Sequence, residues 1–412
     1  MSNLDTTLKV LGVPDTNIHA YEGRMEYRGN GNRRKKYLVI FAELSYQLTK
    51  CPKCHYDELR PNGHKFTHIR FKGVSDVPIM LDLNKQRWLC GHCHKTSTAT
   101  TPAVQSGHSI SNDTKQYVLK LAKQSLSLTN IAKIVGISPT SVSRTLNANI
   151  SFHSARYLPI NLCFDELRTT HGWMSFICID ADTHKLITLL GDRYNASIKN
   201  FFMNQYSLAE RKMVQHITMD MNASYQALVR EVFPNATVIF DRFHIVQLLG
   251  RAMDQIRIQC MKRLDLRDRV HKAMKSHWRL FHKINPEAKK RTYKFVLNEF
   301  MTEQEVIDLA TNAFPEFKHA YEAYVSIHDA LMNSKPDTLT ELITNYLNDG
   351  SVMDVAIATL RKNLKGVVRA STNPLSNGPV EGINRKIKEL KRTCYGFSNQ
   401  LNMFKRAYQI TA

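Results

Sequence analysis

The chain has 412 residues, 43% of them hydrophobic, with only 17 glycines and 13 prolines, so it can bury two or more cores and is not a chiefly disordered protein. Lysine and arginine number 57 against 36 acids, a formal charge of +21 that exceeds what solubility requires and suits a polyanionic partner, foremost nucleic acid. No apolar run approaches the roughly 20 residues needed to span a bilayer, and MSNLDTTLKV at the start lacks the pattern of a secretory signal; a cytoplasmic, nucleoid-associated chain with no membrane contact is expected.

Three regions separate by composition: residues 1 to about 105, about 106 to 155, and 156 to 412. The first holds Tyr37 to Leu44, Phe66 to Phe71 and Ile79 to Leu83, short apolar runs that predict strands. It also holds CPKC (Cys51, Cys54) and CGHC (Cys90, Cys93), joined by 35 residues. Each C-x-x-C knuckle lets two thiolates reach one ion from a single tight turn, and two knuckles complete the tetrahedral shell of structural zinc, as in a zinc ribbon. His55, His92 and His94 adjoin the knuckles as alternative ligands. Eight cysteines in a chain of this length are too few for a disulfide scaffold, which agrees with metal binding in a reducing compartment.

The second region predicts a helix over Asp113 to Gln124 and then a helix-turn-helix over Ser127 to Ile150. Ile131, Ala132 and Val135 form one apolar face, Gly136 supplies the turn, and Ser138 caps a second helix that opens on Pro139. Val142 and Leu146 then face inward, leaving Thr140, Ser141, Ser143 and Arg144 to meet a DNA major groove. A plain helical hairpin has a similar pattern, and the charge of the chain favours the DNA-binding reading.

In the third region, Ile160 to Phe164 predicts a strand ending in Asp165, Trp173 to Ile179 a second and Lys185 to Leu190 a third. Asn195 to Tyr206 predicts a helix, His216 to Met219 a strand ending in Asp220, Tyr225 to Val232 a helix and Ala236 to Phe240 a strand ending in Asp241. A three-strand meander followed by helix, strand, helix and strand is an α/β layer of the ribonuclease H type. If strands one and four are adjacent and parallel, Asp165 and Asp220 meet where ligands of open α/β sheets bind, and two such carboxylates can hold a pair of magnesium or manganese ions for phosphodiester chemistry. Glu381, in SNGPVEGINRKIKELKR, is the candidate third acid. It heads a predicted helix on which Arg385, Lys388 and Arg392 share its face and offer a track for DNA phosphates, while Ile383, Ile387 and Leu390 share the other. Glu166 and Asp180 are rivals for the place of Asp165, and Asp241 for that of Asp220.

These blocks resemble the ISL-three family of bacterial insertion-sequence transposases. The likeness rests on CPKC through RWLCGHC, the helix-turn-helix, FDE (Phe164 to Glu166), TMDMNASY (Thr218 to Tyr225), FPNATVIFDRFHIV (Phe233 to Val246), and NGPVEGINRKIKELKR with YGF after it. The resemblance implies a DDE transposase with its triad on Asp165, Asp220 and Glu381 and a helical insertion over about 245 to 365. It also implies binding to terminal inverted repeats and target DNA, strand cleavage and strand transfer, and a homodimer or larger assembly on DNA. Within the insertion, a positive run from Arg251 to Lys275 is a candidate for DNA or subunit contact, and Trp278 is either core or a stacking platform for a base. Two other readings stay open: a non-enzymatic DNA-binding regulator derived from such an element, and a related nuclease such as a junction resolvase.

Overall fold

A computed structural model describes residues 3–13, 15–29, 34–74, 77–150, 154–221 and 223–411. Asn222, within TMDMNASY, and residues 151–153, at the end of the expected helix-turn-helix region, lie outside them. The fold is mixed α/β and divides into two compact units, Met1–Phe152 with Arg385–Ala412, and His153–Asn384.

The first unit opens with α1 (Asn3–Val10) and the strands β1 (Ile18–Arg28), β2 (Lys35–Leu44), β3 (Leu59–Val74), β4 (Val77–Cys90) and β5 (Thr96–Thr98). Their sheet runs β1-β2-β4-β3, with β5 pairing β4. β3 and β4 are longer than their apolar centres predict, because their antiparallel ladder continues through polar residues from Val74–Val77 out to Leu59–Cys90. Ile40, Leu44, Ile69, Leu81, Leu83 and Trp88 lie in the core beneath the sheet.

Three helices follow: α2 (Asn112–Ala122), α3 (Leu128–Val135) and α4 (Pro139–Asn149). Each begins on a serine, Ser111, Ser127 or Ser138, whose hydroxyl accepts a backbone N–H of the first turn. Gly136 ends α3 at φ 79°, a left-handed conformation that glycine adopts without a Cβ clash. Val118, Ile131, Val135, Val142 and Leu146 close one small core.

The second unit is built on β6 (Asn161–Arg168), β7 (Met174–Asp180), β8 (Leu186–Leu189), α5 (Asn195–Gln205), α6 (Leu208–Met213), β9 (His216–Met219), α7 (Ala223–Val232) and β10 (Thr237–Phe240). Sheet order is β10-β9-β6-β7-β8. β10, β9 and β6 are parallel to their neighbours, while β6, β7 and β8 form an antiparallel meander. Phe164, Phe176, Phe202 and Phe233 pack mainly edge to face over one side of this sheet, a geometry that their ring quadrupoles favour. β6 runs three residues past Asp165, since its ladder with β7 extends to Arg168–Met174, so Asp165 sits inside the strand and not at its end.

The remaining elements are α8 (Arg242–Met261), α9 (Arg269–Ser276), β11 (Thr292–Lys294), β12 (Glu299–Met301), α10 (Glu303–Ala313), α11 (Pro315–Met332), α12 (Pro336–Thr344), α13 (Val352–Lys362), α14 (Leu364–Thr372), α15 (Gly378–Thr393) and α16 (Gln400–Thr411). The stretch read as wholly helical therefore contains a hairpin, where Thr292, Tyr293 and Phe300 favour strand and Asn298 takes the turn at φ 54°. Three cations of the positive run are engaged in the fold: Arg257 is buried, donating to Asp254 and to the Met274 carbonyl, while Arg263 pairs with Glu316 and Arg269 with Glu299. Trp278 is 38% exposed, with the Arg279 guanidinium 4.9 Å from its ring centroid. Among the described residues no helix is long and apolar enough to cross a membrane.

Candidate active site and metal centre

Strand register brings three acids into one row. Cys163 pairs with Thr218 across β6 and β9, and Met219 pairs with Phe240 across β9 and β10. Carrying both parallel registers forward puts Asp165, Asp220 and Asp241 level with one another at the carboxyl ends of β9 and β10, where an open α/β sheet presents ligands.

The side chains converge accordingly. Asp165 Oδ1 accepts the Glu166 backbone N–H at 2.7 Å, and Oδ2 accepts the Asn384 amide at 2.7 Å. His244, in the first turn of α8, has Nε2 2.7 Å from Asp220 Oδ1 and 3.9 Å from Asp241 Oδ2. One ligand atom from each of Asp220, Asp241 and His244 falls within 4.8 Å of the others. Asp241 is 3% exposed and its Oδ2 has no hydrogen-bond partner. Its Oδ1 faces the Asn377 backbone N–H at 3.5 Å. Asn377 in turn donates its amide to the Phe164 carbonyl at 3.1 Å, which ties the turn before α15 to β6. That turn sets where α15 starts, and Glu381 lies in the first turn of the helix.

Electrostatics follow from this crowding. Burial, with repulsion from Asp220 and Glu381, pushes the Asp165 carboxyl up to about 6. Burial also raises Asp241. His244 is raised first by its bond to Asp220 and further by Asp241 and Asp165. Asp220, Asp241 and His244 form the close cluster, with Asp165 and Glu381 near enough to act on it through their charge, and this oxygen-rich donor set with an orphaned buried carboxylate oxygen suits a hard divalent cation.

Two rival acids are engaged elsewhere. Glu166 holds Arg193 at 2.6 Å and the Tyr225 hydroxyl at 2.8 Å, and Asp180 accepts from Asp182 N at 2.9 Å and from the Thr183 hydroxyl. Sequence reasoning did not single out Asn377 and Asn384 as site residues. Asn384 lies one helical turn after Glu381, a spacing that marks it as its neighbour on α15.

In the first unit the four predicted thiolates form one cluster. Cys51 Sγ lies 3.8 Å from Cys93 Sγ, and Cys54 Sγ lies 3.6 Å from Cys90 Sγ. Zinc–sulfur bonds of about 2.3 Å at tetrahedral angles separate sulfurs by about 3.8 Å, so the cluster could bind zinc. Each knuckle is closed by the backbone, with His55 N donating to Cys51 O and His94 N to Cys90 O, and both histidines adopt left-handed backbone. His92 stacks on Tyr56 at 4.2 Å. The Lys53 N–H directed at its sulfur lowers Cys51 to about 6, while burial and the neighbouring thiols raise Cys54, so the cluster favours one thiolate first.

Of the residues assigned to DNA, Thr140 and Arg144 are exposed on α4, whereas Ser141 and Ser143 are half-buried. Ser141 lies against the capping Ser138, their hydroxyls 2.9 Å apart. Arg385, Lys388 and Arg392 are exposed along α15, and Ile383, Ile387 and Leu390 are buried, the division that their spacing predicts. These seven residues all belong to the first unit.

Residues 162–407 match the profile of a family described as transposase, and residues 99–148 match the helix-turn-helix domain of transposase family ISL3. A curated relative, the transposase for insertion sequence element IS1001 of Bordetella parapertussis, is 22% identical over 250 residues, 59% of this chain and 59% of the relative. A second, named as an ATP-dependent protease of Lactococcus lactis subsp. lactis, is 28% identical over 119 residues, 29% of this chain and 38% of that protein. The chain therefore spans less than two thirds of either relative.

Proposed function

The chain belongs to the ISL3 family of transposases, and on that premise we propose that it binds the terminal inverted repeats of an insertion sequence, cuts its strands and joins them to target DNA. The observation that carries this reading is the row of Asp165, Asp220 and Asp241, with Glu381 close enough to raise the Asp165 carboxyl. The sheet order, a meander followed by two parallel strands on its other edge, supports a ribonuclease H-like core over residues 156–412, with the helices of about 245 to 365 as an insertion before Glu381. The head reads as a zinc ribbon over residues 1–105 and a DNA-reading helix-turn-helix over 106–155.

Asp165, Asp220 and Glu381 form the proposed catalytic triad. Magnesium or manganese held there, as a pair, would polarise the scissile phosphate and favour both the attacking and the departing oxygen. The chain's own residues prepare that site. Asn384 orients Asp165, His244 holds Asp220, and Asn377 fixes the turn from which Glu381 projects. Asp241 adds a fourth carboxylate and is a proposed ligand alongside the triad. Thr140, Ser141, Ser143 and Arg144 serve DNA reading, and Arg385, Lys388 and Arg392 serve its backbone. Two element ends must be brought together, so a dimer or larger assembly on DNA is part of the proposal.

The test is incubation with DNA carrying the coding sequence and its flanking repeats, in the presence of magnesium, with products mapped to the nucleotide. Joined strands support transposition. Hydrolysis without joining points to a resolvase-like nuclease, and binding without cleavage to a regulator.

A further inference from the structure

The first unit encloses a cavity of about 820 Å³ that the chemistry above does not use. This volume lies within the range of about 300–1,000 Å³ that small-molecule sites occupy. α3 and α4 form one wall, and the end of α15 with the start of α16 forms the other. Arg392, Lys405 and Arg406 line it, and no carboxylate does so among the described residues.

Arg406 is the informative residue. It is 4% exposed, and its Nη2 donates to the carbonyls of Gln124 at 3.3 Å and Leu126 at 2.9 Å. Nε and Nη1 are buried with no hydrogen-bond partner, and no described acid forms an ion pair with it. Both idle donors are covered from solvent, so the guanidinium acts on the pocket as an uncompensated positive charge in its wall, which favours an anion beside it. Two helix N-termini favour the same charge. The first turns of α3 and α16, capped by Ser127 and Asn399, both line the cavity, and helix N-termini carry partial positive charge.

A phosphate alone is far smaller than this volume, and the rest of the lining describes what accompanies it. Tyr395 stands on the rim, 98% exposed, at φ 54°, followed by Gly396 at φ 92°. This left-handed turn caps α15, with the Tyr395 N–H donating to the Arg392 carbonyl and the Gly396 N–H to the Lys391 carbonyl, and it holds the ring out in solvent with little packing around it. Asn130 and Asn402 present amide groups, which pair with base edges as both donors and acceptors, while the Asn147 amide oxygen accepts from Lys405 Nζ at 3.2 Å and steadies that ammonium at the pocket wall.

We propose that this cavity receives one nucleotide of a DNA strand displaced from its stack, the phosphate toward Arg406 and Lys405 and the base against the ring of Tyr395. Enzymes that act on a single base hold it, displaced from the stack, in a pocket, and base stacking on an aromatic ring tolerates any sequence. The inference rests on DNA being the partner, but not on the chain cutting it.

The experiment titrates the full chain with a labelled single-stranded dodecamer of thymidine and with a duplex of the same length. Tyr395→Ala and Arg406→Gln are each expected to weaken single-strand binding about tenfold or more while changing duplex binding less than twofold, and Tyr395→Phe is expected to bind as the wild type does. Should Arg406→Gln fail to fold, Lys405→Gln replaces it, with a smaller loss in the same direction. A folded Tyr395→Ala chain that binds both probes like the wild type, or loses both equally, overturns the proposal. Thymidine 5′-monophosphate bound as tightly as the strand also overturns it, in favour of a free nucleotide. Asp165→Ala should leave single-strand binding intact, which separates this proposal from the proposed cleavage.

Discussion

His244 Nε2 lies 2.7 Å from Asp220 Oδ1, so the imidazole at the start of α8 pairs with the acid that follows β9. The contact raises the histidine, whose folded state then binds its proton more tightly than the unfolded chain does. The stabilisation is complete below the unfolded value of about 6.5 and is lost as pH rises through the higher folded value. Because Asp220 is partly exposed, solvent screening limits the effect to about 1 kcal/mol or less. His244→Ala is therefore expected to lower the melting temperature of the magnesium-free chain most at pH 6 and least at pH 8. An equal drop at both values would contradict this.

Asp165 behaves in the opposite chemical sense with the same sign. Burial, with Asp220 and Glu381 nearby and His244 opposing them, pushes its carboxyl up to about 6, so ionising it costs stability as pH rises toward and through that value. In magnesium-free buffer at pH 8, Asp165→Asn should be more stable than the wild type by on the order of 1–2 kcal/mol, and the gain should vanish near pH 4. Urea melts at both values check it. Added magnesium should shrink the difference at pH 8, because only the wild type gains a full ligand.

Zinc is expected at one ion per chain, held by Cys51, Cys54, Cys90 and Cys93. Cys54→Ser should release it and lower the melting temperature of the first unit while leaving the second unit's transition in place, since a structural site stabilises the fold that forms it. Metal analysis and calorimetry on the same samples measure both. Full zinc content in Cys54→Ser would remove the four-thiolate assignment.

Gly366, on α14, has no room for a side chain. A Cβ placed there would lie 2.3 Å from Phe240 Cε2, and Phe240 immediately precedes Asp241. Gly366→Ala should destabilise the second unit by about 1–3 kcal/mol, the usual consequence of overpacking, and lower its melting temperature by several degrees. An unchanged melting temperature would show that Phe240 yields freely.

Much of this was legible in the sequence because the signals are local. Two C-x-x-C pairs mark four thiols that gather in one cluster whatever lies between them, and Ser127, Gly136, Ser138 and Pro139 mark helix boundaries to within a residue. Strand order around Asp165 and Asp220 was legible too, since a meander followed by crossovers leaves few topologies. What escaped depends on contacts distant in sequence. The extension of β6 past Asp165 is set by its partner β7, and the positioning of Asp165 by Asn384 spans 219 residues. The grouping of residues 385 to 411 with the head likewise reflects packing of α16 on α2, which no short window records.

The most direct test of the account is cleavage of DNA bearing the element's ends, in magnesium, by the wild type and by Asp165→Ala and Glu381→Ala, with binding to the same DNA measured in parallel. The account predicts cut and joined products from the wild type, none from either variant, and end binding within about twofold for all three. Full cleavage by either variant would contradict it.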